Sequence, residues 1–357
     1  MDFGDFTLFN IFQKDKKIYM ICSILNIPIN ESDINVNIIK NQRAYHVNNF
    51  FYNKIEKDNH EPILILIYNI PDRLFSNELE LVVSYKENIY VKNIKETDNK
   101  NKQFLALTTL FKDDCNLIPI FYNYYKSQGV DHFYLYYNGK INQDIKDIIN
   151  NCVDKTDNDI TLLEWEFRYY NNDKIKYEHH AQMGQMHDAL YRFGKGNYEY
   201  MIFNDLDEYF KIPNCDITLK EYIEKNKNIS IFGFCNRWSV TIDEKIPSIF
   251  PKKFFYFNIH EHGDRSKNIF KIENIETIGI HGYSGSITYN VNNPLKKLDL
   301  DMYHFYNWNN KDRKFETLYT YTGEVIEKKK ISQKTLKIIL AYSGGLDTSV
   351  LVHWYAH

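Results

Sequence analysis

The sequence predicts an α/β protein in which a small all-β domain precedes a mostly parallel sheet with helices on its faces. Three features support this prediction. Short β-like runs fill residues 1–100, strand and helix patterns alternate from residue 104 onward, and a largely apolar run over 198–203 leads into three carboxylates. Strand–helix alternation is typical of parallel sheets, whose ligands gather at the carboxyl ends of the strands. The acids after residue 203 therefore mark the place where a site is expected.

The first part of the chain has the composition of β-strands. Residues 18–22, 63–68 and 79–85 are rich in β-branched and aromatic side chains, and polar turns such as 30–33 separate them. Runs of this kind, bounded by turn residues, are typical of all-β folds. We predict a β-rich accessory domain over residues 1–100, followed by a polar linker over 95–103.

Alternation begins after this linker. Helix-spaced apolar residues and continuous apolar runs follow one another, and Gly129 and Gly194 stand where two of the helices would end. The pattern predicts strands over 104–110, 133–137, 160–167 and 198–203, helices over 116–128, 144–150 and 179–193, and further strands over 231–235, 254–258 and 277–280.

Composition places the chain among soluble globular proteins. Of its 357 residues, 25% are charged and 43% hydrophobic, and the formal net charge is −3. A slightly acidic chain whose basic runs are short lacks the basic surface that a general nucleic-acid binder needs. We therefore expect no nucleic-acid partner.

Cysteine usage and hydropathy indicate the compartment. The five cysteines are scattered and form no CxxC pair, so their spacing supports neither a zinc site nor a disulfide framework and favours a reducing compartment. No apolar run approaches the roughly 18 residues of a membrane-spanning helix, and the N-terminus has no signal-peptide pattern. We expect a cytoplasmic protein without a membrane span.

The acidic run Asp205-Leu206-Asp207-Glu208 is the strongest chemical signal in the sequence. Carboxylates beside a core are costly unless they are paired or bind a metal. An Asp-x-Asp pair at the end of a buried strand offers hard oxygen ligands to Mn²⁺ or Mg²⁺, which in such a setting bridges to nucleotide phosphates. The alternative is that the acids only end a strand or cap a helix.

A set of motifs follows in order along the chain: 108–114 (TTLFKDD), 129–136 (GVDHFYLY), Gln182, Asp188 and Arg192 with 205–209 (DLDEY), 265–270 (RSKNIF), 279–281 (GIH) and 303–306 (YHFY). Together these stretches resemble family-92-like glycosyltransferases over about residues 104–315. The family implies a GT-A fold, here over 101–330, a nucleotide-sugar donor, a glycan or glycoconjugate acceptor and a divalent metal. The chain departs from the family at Asp113-Asp114, where Asn-Glu is usual, and at Ile272, where proline is expected.

Chemistry and resemblance together assign the metal ligands. Asp205 and Asp207 are the metal-ligand candidates, His281 is a third, and His304 competes with His281. A neutral imidazole suits Mn²⁺ next to carboxylates, although a single histidine is more often a packing residue.

The same reasoning assigns donor contacts. Arg265 and Lys267 would offset diphosphate charge, with surface charge as the alternative. Asp113 and Asp114 would accept hydrogen bonds from the base or ribose, or would cap the helix that follows. The resemblance adds Gln182 and Asp188 as donor-binding candidates.

An inverting transfer needs a general base for the acceptor hydroxyl. Glu208, Glu261 and Asp264 are the candidates, and the sequence does not choose among them. Glu261 and Asp264 lie in a His-Glu-His-Gly-Asp run that favours a loop near the acceptor over a metal site.

The end of the chain carries a second motif. Residues 338–349 (IILAYSGGLDTS) predict a β-strand that leads into a glycine-rich turn, which suits a pyrophosphate. This stretch resembles the PP-loop of N-type ATP pyrophosphatases, most closely the start of argininosuccinate synthase. The ATP-binding candidates are Ala341, Tyr342, Ser343, Gly344, Gly345, Leu346, Asp347, Thr348 and Ser349. Only 8 residues follow Ser349, too few for a core. We interpret residues 331–357 as an incomplete PP-loop unit.

The leading hypothesis is a metal-dependent glycosyltransferase. A first alternative is an ATP-dependent ligase fragment, similar to argininosuccinate synthase, joined to an unrelated body. A second is an inactive GT-A protein that only binds carbohydrate.

Overall fold

The computed structural model describes residues 1–25, 29–54, 62–97, 102–152, 158–170, 179–212, 216–241, 246–252, 254–258, 265–281, 296–305 and 308. The whole PP-loop unit predicted over 331–357, with its ATP-binding candidates, lies outside these residues, as do Glu261 and Asp264. No helix of the described ranges is both long and apolar enough to cross a membrane.

The described residues up to Lys95 form two antiparallel sheets of four strands each, in the orders β1-β2-β6-β5 and β4-β3-β7-β8. We call this part the first β domain. Its strands are β1 (Phe6–Lys14), β2 (Lys17–Ile24), β3 (Asn35–Lys40), β4 (Arg43–Val47), β5 (Asn49–Lys54), β6 (Ile63–Asn69), β7 (Glu78–Tyr85) and β8 (Asn88–Lys95). The runs predicted over 18–22, 63–68 and 79–85 lie in β2, β6 and β7, so these strand predictions are confirmed.

Alternation of side chains builds the core of the first β domain. In β7 the residues Leu79, Leu81, Val83 and Tyr85 are buried while their neighbours are more exposed. A strand with one apolar face packs that face against a second sheet. Residues of both sheets accordingly share one apolar cluster, to which Val36 of β3 and Leu64 of β6 also belong.

The described residues from Gln103 onward form a nine-stranded sheet with helices on both faces. Its order is β11-β10-β9-β12-β16-β14-β17-β13, with β15 paired to β14. The strands are β9 (Gln103–Phe111), β10 (His132–Tyr137), β11 (Ile160–Glu164), β12 (Tyr198–Phe203), β13 (Glu208–Lys211), β14 (Ile231–Val240), β15 (Phe255–Asn258), β16 (Lys267–Lys271) and β17 (Lys296–Phe305).

Four helices accompany this sheet within the described residues. They are α1 (Ile118–Ser127), α2 (Gln143–Cys152), α3 (His180–Asp188) and α4 (Leu219–Glu224), and a π-helical turn, Ala189–Gly194, continues α3. Apolar residues of α1, α2 and α4 share one cluster with Leu105 and Leu107 of β9. Residues of α3 share the other with Ala106. Because successive strand residues point to opposite faces, α3 covers the face opposite α1.

The first four strands of the order, β11, β10, β9 and β12, pair in parallel, as the alternating pattern predicted. Beyond β12 the sheet is mixed: β16 pairs antiparallel with both β12 and β14, whereas β17 runs parallel to β14. The sheet is therefore an α/β fold of the predicted class with an antiparallel half that the alternation did not indicate.

Two element predictions differ in detail from the structure. The first helix is preceded by a 3₁₀ turn, Cys115–Leu117, and Gly129 ends it with a φ of +87°, as a C-cap glycine does. The strand predicted over 277–280 is wrong. The Ile278 amide instead donates to Nε2 of the buried His187 in α3, 3.2 Å away, and this uses the backbone group that a sheet would need.

Candidate functional site

The chain turns sharply after β12, and the acids lie in this turn. Asn204 anchors it: its backbone amide donates to Thr108 O of β9 at 3.2 Å, and its side-chain amide donates to Tyr125 Oη of α1 and to Glu208 O. Asp205 and Glu208 close the turn, because the Glu208 amide donates to Asp205 O and the Asp205 amide donates to Glu208 Oε2. The acidic run therefore has a defined backbone at the carboxyl end of a parallel strand.

Lys267 of β16 lies beside this turn. Its ammonium donates to Asp205 Oδ2 at 2.9 Å and lies 3.4 Å from Glu208 Oε2, and its side chain is only 3% exposed. A buried cation is retained only when it is paired, and these carboxylates pair it. The Asp205 side chain is 35% exposed, so the turn opens to solvent on the side of Asp205.

His304 of β17 pairs with the second aspartate. Its Nε2 lies 3.2 Å from Asp207 Oδ2 and its Nδ1 3.7 Å from Glu208 Oε1. The antiparallel pairing of β13 with β17 sets His304 opposite Glu208, and the Phe305 amide donates to Asp207 O. The indole of Trp238 stacks on the imidazole at 4.2 Å between ring centroids. His304 is therefore fixed from both sides.

A glutamine of α3 also contacts the acidic turn. Gln182 Nε2 donates to Asp205 Oδ1 at 2.9 Å, and Tyr169 Oη lies 3.3 Å from Gln182 Oε1. One turn further along α3, Gln185 donates to the hydroxyl of Thr108 in β9. Gln182 therefore contacts the acidic turn, and its expected role in donor binding stays a prediction.

Asp205, Glu208 and Lys267 form a charged cluster at the turn, and their pKa values reflect burial on one side and ion pairing on the other. Burial alone would raise the pKa of Asp205, but the charge and hydrogen bond of Lys267 hold it below its ordinary value. Glu208 is buried more deeply, and its pKa rises to about 7 because burial outweighs the attraction of Lys267. Burial would lower the pKa of Lys267, yet Asp205 and Glu208 hold it above its usual range. The cluster is therefore a largely neutralised group of charges.

The aspartates after β9 separate into two environments. Asp113 is exposed, whereas Asp114 is partly buried and accepts the backbone amide of Lys112 at 3.1 Å rather than capping the following 3₁₀ turn. Burial raises the pKa of Asp114 to about 6, and the charges of Asp207 and Asp205 add to this rise. Asp114 thus belongs electrostatically to the cluster.

The other predicted residues take different places. Arg265 is exposed, with its guanidinium carbon 5.4 Å from the centroid of the Trp238 ring. His281 is half-buried and close enough to Asp205 for its charge to lower the pKa of that carboxyl. Asp188 is fully buried away from the turn, where it accepts hydrogen bonds from Tyr136 Oη and Asn10 Nδ2.

Within the described residues, no three His, Cys, Asp or Glu side chains converge in a metal-binding group. Asp205 and Asp207 instead face Lys267 and His304. Sequence reasoning missed Tyr169, Trp238, Asn204 and Tyr125. A polar Asn between an apolar strand and the acids was the available signal for Asn204; the tyrosines and the tryptophan had none, because they reach the turn only through sheet order and helix packing.

Comparison of the sequence with protein families gives a match over most of its length. The sequence profile of glycosyltransferase family 92 matches residues 108–339, about two thirds of the chain. The match includes the acidic turn, Gln182, Lys267 and His304, and it ends two residues before Ala341. Among curated proteins, none matches the sequence.

Solved structures show only partial likeness. The mannosyltransferase Ktr4p from S. cerevisiae in complex with GDP is 14% identical over 41% of this chain and 42% of its own, with a TM-score of 0.28. GalNAc-T7 with UDP, GalNAc and Mn²⁺ is 9% identical over 59% of this chain and 45% of its own, with a TM-score of 0.31. The chain thus spans less than half the length of these proteins.

Proposed function

Because the chain belongs to glycosyltransferase family 92, we propose that it transfers a sugar from a nucleotide-sugar donor to an acceptor hydroxyl. The observation that carries the proposal is the set of buried charges at the carboxyl end of β12. Asp205, Asp207 and Glu208 face Lys267 and His304 there, with Asp205 open to solvent. Ligands of parallel sheets bind at this edge, and perturbed acids and cations in one place are typical of functional sites.

The donor set suits a divalent metal. Asp205 and Asp207 offer carboxylate oxygens and His281 offers an imidazole nitrogen, the ligands that Mn²⁺ accepts, whereas Nε2 of His304 is already paired with Asp207. Both oxygens of Asp205 have protein partners, Gln182 and Lys267, so a metal on Asp205 would share an oxygen with one of them. We propose that Asp205 and Asp207 would hold the metal, with His281 as a third ligand. The metal would neutralise charge on the donor diphosphate.

Lys267 gives the site its own positive charge. In the transfer the bond between the anomeric carbon and the diphosphate oxygen breaks, and the diphosphate leaves with the electron pair. A fixed positive charge beside the departing oxygens stabilises that charge without reorganisation. We propose that the exposed Arg265, which precedes β16, supplies this charge directly, and that the buried Lys267 contributes through its pair with Asp205.

Glu208 fits a supporting role better than that of the base. Its side chain is 1% exposed, and its Oε2 accepts the Asp205 amide. A base must reach the acceptor hydroxyl within hydrogen-bond distance. We therefore propose that Glu208 holds the turn and Lys267 in place, and that Glu261 or Asp264 takes the proton.

Two side chains next to Lys267, Ser266 just before β16 and Asn268 within it, support a ligand nearby. The Ser266 hydroxyl and both polar atoms of the Asn268 amide are buried and have no hydrogen-bond partner among the residues that the structure describes. Buried polar groups are rarely left unpaired unless water or a ligand completes them. We propose that these groups hydrogen-bond to water or to a ligand on the face of β16 opposite Lys267, since successive strand residues point to opposite faces.

The test is release of nucleoside diphosphate by the full chain from a panel of nucleotide sugars with Mn²⁺. We expect metal-dependent release from at least one donor, reduced about a hundredfold or more in Asp205→Asn and Asp207→Asn. Asp72→Asn, an exposed aspartate of the first β domain whose side chain is 87% exposed, is the matched control. Donor binding without turnover would favour an inactive carbohydrate-binding protein, and equal rates in all variants would place the chemistry elsewhere.

A further inference from the structure

One face of α3 and its π-helical continuation rests on the first β domain at intervals of four residues. The Ser23 hydroxyl of β2 lies 3.3 Å from His180 Nδ1, and Asn10 Nδ2 of β1 donates to Asp188 Oδ1 at 2.7 Å. The ammonium of the buried Lys14, at the end of β1, donates to the carbonyl of Arg192 at 3.1 Å. Between these polar contacts the ring of Phe9 lies against Gly184.

The Phe9–Gly184 contact allows no side chain at position 184. A Cβ on Gly184 would come within 2.6 Å of three atoms of the Phe9 ring. The ring itself is held, since it stacks on Trp165 at 5.8 Å and meets Phe167 and His180 at 4.9 and 4.6 Å between centroids. The helix can approach β1 this closely because residue 184 is glycine.

A β-bulge directs these contacts. The register of β1 with β2 shifts between Leu8 and Asn10, so Phe9 is an extra residue in the strand. Such a bulge bends its strand and re-aims the neighbouring side chains. The ammonium of Lys92 in β8 donates to Asn10 Oδ1 at 3.1 Å, which orients the Asn10 side chain so that its Nδ2 donates to Asp188.

The adjoining face of α3 carries the residues that reach the sheet. Gln182 bonds Asp205, and Gln185 bonds Thr108, both within 3 Å. A helix is stiff over a few turns, so a shift at 184 or 188 moves Gln182 with it. We infer that the first β domain is a positioning element, an inference that rests on the proposed donor site. Phe9 and Asn10 set the position of α3 and thereby hold Gln182 against Asp205.

Gly184→Ala tests this directly. The new methyl group would force the helix away from Phe9, and Phe9→Leu in the same chain would make room for it. We expect Gly184→Ala to raise the KM for the donor about tenfold or more with a smaller change in kcat, and the double variant to recover most of that loss. Phe3→Leu is the control, because Phe3 stacks on Phe6 inside the first β domain and belongs to a cluster separate from α3.

Coupling to Gln182 separates positioning from loss of structure. If Asn10 and Gly184 act through Gln182, the effects of Asn10→Ala and Gln182→Ala on donor KM will be less than additive. Additive effects would overturn the inference, as would a Gly184→Ala variant that melts earlier yet keeps the wild-type KM. Asn10→Ala also serves where Gly184→Ala does not fold.

A readout without donor keeps this test independent of the proposed function. Hydrogen exchange at the amides of Asp205 and Glu208, which lie in hydrogen bonds of the turn, should accelerate in Asn10→Ala and remain at the wild-type rate in Phe3→Leu. Unchanged exchange in Asn10→Ala would overturn the inference. If the wild-type chain turns over no nucleotide sugar, the proposed function fails, and the exchange result still decides the role of the first β domain.

Discussion

The ammonium of Lys267 lies 2.9 Å from Asp205 Oδ2 in a pair whose lysine is 3% and whose aspartate is 35% exposed. The pair thus joins a buried cation to a carboxylate at the surface. The cation stabilises the turn from within, and the carboxylate remains within reach of a ligand. This asymmetry connects the stability of the turn to its proposed role.

Lys267→Met should be strongly destabilising. It leaves Asp205 and Glu208 without their shared cation, and removing one partner of a buried pair costs about 3–5 kcal/mol. Lys16→Met removes an ion pair with Asp72 whose side chains are 57% and 87% exposed, so its cost should be about 1 kcal/mol or less. Urea unfolding of both variants measures this difference. Equal costs would show that Lys267 is not the counter-ion of the turn.

The Tyr125 hydroxyl supports the turn from α1. It donates to Glu208 O at 2.9 Å and accepts from the Asn204 side chain and the Phe210 amide. Tyr125→Phe leaves these buried groups without that partner, and each such loss costs about 1–3 kcal/mol. We expect lower stability and weaker donor binding together. Tyr122→Phe, which removes a hydroxyl bonded to Asp159 at the far edge of the sheet, should change stability alone.

His304 should make stability depend on pH. Burial alone would lower its pKa, but the charge and hydrogen bond of Asp207 raise it above the ordinary 6.5. A group with a raised pKa in the folded state stabilises the fold below its unfolded pKa and loses that contribution as pH rises through the folded pKa.

The free energy of unfolding of the wild type minus that of His304→Gln should therefore be largest below pH 6.5 and shrink at higher pH. Urea unfolding at steps between about pH 5 and 8 measures this difference. A difference that stays constant over that range would mean that His304 acts only by packing.

Much of the fold could be predicted from local pattern. Continuous apolar runs placed β9, β10 and β12, and helix spacing placed α1, α2 and α3, because burial sets these periods within a few residues. The mixed half of the sheet could not be predicted in this way. β16 begins with the charged Lys267, and its place between β12 and β14 depends on long-range pairing that no local period records.

The same limit applies to the site. Asp205 and Asp207 could be found because acids that follow an apolar strand break its pattern. The sequence also indicated Lys267 and His304, but not as partners of these aspartates, because Lys267 is 62 residues from Asp205 and His304 is 97 from Asp207. The role of the first β domain was also hidden, since Asn10 and Asp188 are 178 residues apart.

The most direct test of the central claim, that the turn at Asp205 and Asp207 holds a donor diphosphate, is a calorimetric binding measurement. Nucleoside diphosphates and the matching monophosphates are titrated into the wild type and into Asp205→Asn, with Mn²⁺ and with chelator. With Mn²⁺, at least one diphosphate should bind about tenfold or more tightly than its monophosphate, and Asp205→Asn should remove this gain. Equal affinities for diphosphate and monophosphate, unaffected by Mn²⁺ and by Asp205→Asn, would contradict the central claim.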